Sequence, residues 1–113
     1  MIKISVDEAY AFDILTILHI KKNNTMADTN NYEKMIDEIR NQVGDSKFYE
    51  ILMSPEYKNL LTSNKLVYDY VDKIRNGEKL DAKEVDDANM LRYKYKKDLQ
   101  IKYFGNNVTE QKT

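Results

Sequence analysis

The chain has 113 residues, 42% of them hydrophobic, which fits a single domain whose core is large enough to need neither disulfides nor a structural metal. It has no cysteine, which excludes a disulfide framework, a thiolate metal site and a cysteine nucleophile. With a net charge of −1 and 33% charged residues, the molecule as a whole has no pull toward phosphate backbones or anionic membranes, so any such binding must come from a local patch.

No signal-peptide pattern opens the chain. Its longest apolar stretch, Ile14 to Ile20, is broken by Thr16 and His19 and falls well short of the ~20 residues that span a bilayer. The expectation is a cytoplasmic protein. Three glycines, one proline and many Lys, Asn, Ile and Tyr point to helices, and to an A+T-rich genome.

In chain order, Ile2-Lys3-Ile4 alternates and leads into Ser5, which with Glu8 has the spacing of a capping box. A first helix over 6–22 follows, closing on Lys21 and Lys22 at the negative end of its dipole. The polar segment Asn23 to Asn31 reads as a loop. A second helix over 31–43 carries Tyr32, Met35, Ile36, Ile39 and Val43 on one face and stops at Gly44.

Ser46 can cap a short helix over 46–53 that carries Phe48, Ile51 and Leu52. Ser54-Pro55-Glu56 then starts a long helix over 55–76, with proline at its favoured first position. Its apolar face is Tyr57, Leu60, Leu61, Val67, Tyr68, Val71 and Ile74. Asp81 with Glu84 opens a last helix over 82–104, with Val85, Ala88, Tyr95, Leu99 and Tyr103 on one face, ending at Gly105. The tail 106–113 is polar and expected to be disordered. The predicted architecture is an all-α bundle of four main helices with one short extra helix, in a single domain.

Three polar side chains fall at the centres of these apolar faces. At 100° per residue, Val6, Ala9, Tyr10, Ile17 and Ile20 all lie within about 60° of Asp13, so its carboxylate points into the core or into a pocket there. Asn64 sits at the centre of the long helix's face, and Arg92 at the centre of the last one, with Asn89 and Lys96 a turn either side. A buried carboxylate needs a partner, and a guanidinium with neutral amides around it supplies one. Two readings stay open: a buried ion pair that fixes helix register, or a pocket for a small polar or anionic ligand formed by Asp13, Asn64, Asn89, Arg92 and Lys96.

No catalytic residue, cofactor or metal is assigned. His19, the one histidine, has neither an orienting partner nor co-ligands in any local pattern and reads as a partly exposed structural residue. Acid pairs at helical spacing occur at Glu33/Asp37, Asp69/Asp72 and Glu84/Asp87, but Asp69, Asp72 and Glu84 fall off the core faces, where they cannot converge on one ion without a partner subunit. Arg92, Lys94, Lys96, Lys97 and Lys102, interleaved with Tyr93, Tyr95, Tyr103 and Phe104, have the composition of a nucleic-acid-binding helix, but these cations point around most of the helix. The leading expectation is therefore an accessory or protein-interaction module, a homodimer through leftover apolar positions such as Leu15, Leu66 and Tyr70. Ligand binding around Asp13 and Arg92 is the alternative, and weak nucleic-acid binding a second.

Two segments carry a resemblance. Ile2-Lys3-Ile4-Ser5-Val6 with Asp13 to Lys21, and Tyr68 to Arg75 with Asn89, Arg92, Lys96, Gly105 and Glu110 to Thr113, resemble a family of short helical bacterial and phage proteins forming a domain of unknown function. That family opens IxVSxGE…DKLTILxIK and continues WxIEDKIR…NxxRxxxK. The chain departs from it at Ile14 (Lys expected), Asp7 (Gly) and Tyr68 (Trp). The resemblance implies a helical fold and attaches no activity. It does select Asp13, Asn89 and Arg92, the positions that helix geometry also selects.

Overall fold

Helix α1 (Glu8–Lys21) is apolar on nearly every side, and the fold is arranged around it. The computed structural model describes residues 8–105. Four further helices follow α1: α2 (Met26–Val43), α3 (Asp45–Leu52), α4 (Pro55–Arg75) and α5 (Ala82–Phe104). Among the described residues there is no strand. α1 packs against α2, α4 and α5, and α4 against α5.

Phe12 shows why α1 is central. Its fully buried ring lies 6.2 Å from Phe48 of α3, 6.4 Å from Tyr57 of α4 and 6.1 Å from Phe104 of α5. One side chain thus ties three helices to a fourth, at separations where aromatic pairs attract. Leu15, Ile51, Leu60 and Leu99 complete the fully buried shell. The predicted stripe of α2 packs here as well, Ile39 buried and Tyr32, Met35, Ile36 and Val43 partly so.

Leu15 is therefore not a leftover apolar position. A helix that contacts three neighbours has no spare face, and Leu15 is completely buried. The start of α2 also differs from the expected 31: it lies at Met26, because the Thr25 hydroxyl accepts from the Asp28 amide and caps the helix a turn and a half earlier. That extra segment is mostly exposed, so no hydrophobic period announces it. The Ser5 cap and the tail 106–113 lie outside the described residues.

The connections are economical. Gly44, at φ +91° and ψ 150°, is at once the last cap of α2 and the first of α3. Its N–H donates to the Arg40 carbonyl at 2.8 Å and its carbonyl accepts from Phe48 N–H at 2.9 Å. That backbone conformation is essentially restricted to glycine. Buried Ser54 does the same for the next pair: its hydroxyl donates to the Ile51 carbonyl at 2.6 Å and accepts from Tyr57 N–H at 3.1 Å. So α3 ends and α4 begins on one oxygen atom.

The helices α4 and α5 run antiparallel, as the Lys102–Glu56 ion pair at one level and the convergence of Asn64 and Arg92 on Asp13 at another require. Both are longer than α1, roughly 31 and 34 Å against 21 Å at ~1.5 Å per residue. The apolar stripe of α4 consequently outlasts its cover: Tyr57 and Leu60 are buried, Val67 and Tyr68 half-buried, and Val71 and Ile74 exposed.

Candidate functional site

Asp13 is the centre of a buried polar cluster. Its side chain is 3% exposed, and α4 and α5 each send it one polar side chain. Arg92 grips the carboxylate in a two-pronged geometry, Nη2 donating to Oδ2 at 2.6 Å and Nε to Oδ1 at 3.3 Å. Asn64 donates from Nδ2 to Oδ1 at 2.8 Å and, with its other hydrogen, to the Thr16 hydroxyl at 2.5 Å. Thr16 in turn donates to the carbonyl of Asp13 at 2.6 Å. The carboxylate thus accepts three hydrogen bonds, two of them from a cation, which is what an ion needs to remain in a low-dielectric interior.

The geometry also fixes helix register. Sliding α4 or α5 by one turn past α1, about 5.4 Å, would withdraw Asn64 or Arg92 and leave the charge alone.

Arg92 is not sealed in. Its side chain is 34% exposed, and with Asn64 it lies at the base of a cleft of about 290 Å³ between the second half of α1, the second half of α4 and α5. Ile17, Val67, Tyr68 and Val71 line its walls, and Lys21, Asp72 and Arg75 border it. Among the described residues, Nη1 of Arg92 donates to nothing.

Two of the five expected site residues lie away from Asp13. Asn89 is exposed, and its Nδ2 donates to the carbonyl of Val85 one turn earlier in its own helix at 3.1 Å. It lines a shallow depression on α5 with Met90 and Tyr93. Lys96 is half-buried, its ammonium 6.0 Å from the ring centres of Tyr10 and Tyr93. Proximity to Arg92 on the wheel is not enough to reach across to α1 and α4 at Asp13.

Among the polar residues that belong to the interior and escape helix-wheel reasoning, two lie on or against α1. Thr16 is one, since a threonine that bonds its own helix's carbonyl counts as apolar when buried. Gln100 is the other: 2% exposed, it accepts from the Ala9 N–H at 2.8 Å through Oε1 and donates to Glu8 at 3.1 Å through Nε2. It satisfies an amide of the first turn of α1 from 91 residues away.

His19 is half-buried against Tyr32, edge to face at 5.3 Å, with the phenol oxygen 3.4 Å from Nδ1. Burial first, and the Lys22 charge second, push its pKa below 6.5. The hydroxyl of Tyr57 has no hydrogen-bond partner among the described residues, and burial pushes its pKa well up. The basic run of α5 is largely spoken for: Arg92 pairs with Asp13, Lys94 with Asp98 and Lys102 with Glu56. Tyr95, Tyr103 and Phe104 pack against the core, so cations and rings form no common stripe for bases. The acid pairs of α2, α4 and α5 are exposed, and among the described residues no cluster of His, Asp or Glu could hold a metal ion. No helix of the described residues is long and apolar enough to cross a membrane.

No protein-family model, curated protein or solved structure matches the chain.

Proposed function

We propose that the protein is a helical interaction module that works as a homodimer, pairing through the outer face of α4 and α5. The observation that carries this is Leu66, 39% exposed, and Leu91, 42% exposed, which fall at the same level of the two antiparallel helices, with half-buried Tyr70 beside Leu66 on α4. Helix periodicity places all three away from the α1 side.

Charge selects a second copy as the occupant. A two-fold axis parallel to the helices lays α4 of one copy over α5 of the other at the same level. Lys73 then faces Glu84 and Asp87 of the second copy, twice over by symmetry. Two adjacent helices of this length offer a face on the order of 600 Å², close to the ~800 Å² per partner of an ordinary stable interface.

Sedimentation equilibrium tests the reading. The expected species is twice 13.4 kDa, reduced to the monomer by Leu66→Asp and weakened by Lys73→Glu, with association regained when Lys73→Glu is combined with Glu84→Lys. A single 13.4 kDa species across the concentration range, indistinguishable from Leu66→Asp, overturns it.

A further inference from the structure

We propose that the cleft beside Asp13 binds a small organic monoanion, a carboxylate carried on a branched or aromatic apolar body. The cleft joins two chemistries that such a molecule needs. Its base offers the guanidinium of Arg92, one third exposed, with Nε and Nη2 committed to Asp13 and Nη1 directed to no described residue. Its walls are the aliphatic side chains of Ile17, Val67 and Val71 and the ring of Tyr68.

Asp13 has a positioning role here. By holding two nitrogens of Arg92, it fixes the plane of the guanidinium before any ligand arrives, so little side-chain entropy remains to be lost on binding. It also cancels the charge of Arg92. The net field of the site therefore comes from its border, where Lys21 and Arg75 stand against Asp72, and neither cation forms an ion pair with a described residue. One excess positive charge suits a monoanion, where a phosphate dianion would be left half-neutralised.

Size narrows the class further. At about 290 Å³ the cleft is at the lower edge of ligand sites, too small to enclose a dinucleotide or a long acyl chain and of a size for a short branched or aromatic acid. The apolar walls separate such an acid from acetate or inorganic phosphate, which would leave Val67 and Val71 uncovered.

Amide-detected NMR titration of the full chain decides this, with isocaproate as the probe and isocaproamide and inorganic phosphate as controls. Isocaproate should move the Ile17–Lys21 and Val67–Val71 amides and the Arg92 Nε signal, saturating with a Kd on the order of 1 mM. Isocaproamide should bind about tenfold more weakly or worse, and phosphate should not saturate. The double variant Lys21→Gln, Arg75→Gln leaves the buried cluster intact and should weaken isocaproate about tenfold with an otherwise unchanged spectrum. Four outcomes overturn the proposal: no saturable response to isocaproate, equal binding of the neutral amide, tighter binding of phosphate, or undiminished binding by the double variant.

Discussion

Replacing Arg92 by Ala removes two of the three hydrogen bonds received by the Asp13 carboxylate and leaves that charge in a position only 3% exposed. Stripping one partner from a buried ion pair typically costs about 3–5 kcal/mol, because the survivor keeps its desolvation penalty without compensation. Arg92 is itself 34% exposed, and its truncation opens the cleft to Asp13, so water offsets part of the loss. The lower end of that range, about 3 kcal/mol, is the expected cost, or a fall of roughly 10–20 °C in Tm for a domain of this size. Urea melts followed by circular dichroism give the number directly. The companion variants Asp13→Asn and Asp13→Asn, Arg92→Ala complete a cycle in which the double variant should regain at least ~1.5 kcal/mol over the sum of the singles. A loss below about 1 kcal/mol for Arg92→Ala, or singles that add to within about 0.5 kcal/mol, would refute the assignment of this pair as the keystone of the three-helix contact.

Tyr57→Phe should stabilise the protein by about 1 kcal/mol in the same melts, since it deletes a buried hydroxyl without a described partner and keeps the ring against Phe12. Gln100→Ala should cost about 1–2 kcal/mol and, in hydrogen exchange, deprotect the Ala9 amide more than amides in the middle of α1. For His19 the folded pKa is below 6.5, so the folded state binds fewer protons than the unfolded chain as the pH drops under that value. Stability relative to His19→Asn should be unchanged above pH 6.5, fall as the pH is lowered through 6.5, and level off below the folded pKa. A wild-type and variant difference flat across that window would contradict the cause assigned to the shift.

Asp13, Asn64 and Arg92 could be picked from sequence because each sits where a periodic stripe should be apolar, and a polar residue there must either find another or face a cavity. Asn89 differs for a simple reason: a helix wheel gives direction and says nothing about what stands opposite, and at Asn89 neither α1 nor α4 offers a partner. Leu15 reads as a spare position only for a helix with one buried face, whereas α1 packs against three neighbours. The first five residues of α2 were invisible because a threonine cap holds them and burial does not. Gln100 needed the third dimension, since its partner lies in the first helix and no local spacing connects the two.

The span between Asp13 and the residues that satisfy it has a consequence for synthesis. Arg92 follows Asp13 by 79 residues, and Gln100 follows Ala9 by 91. At about 5–20 residues per second, a ribosome makes Asp13 roughly 4–16 s before it makes the cation that neutralises it. During that interval α1 carries an unpaired acid in the middle of an otherwise greasy segment, which discourages premature packing against the wrong surface. Its burial becomes favourable only when α5 arrives, so synthesis of α5 and closure of the core around Asp13 become one event.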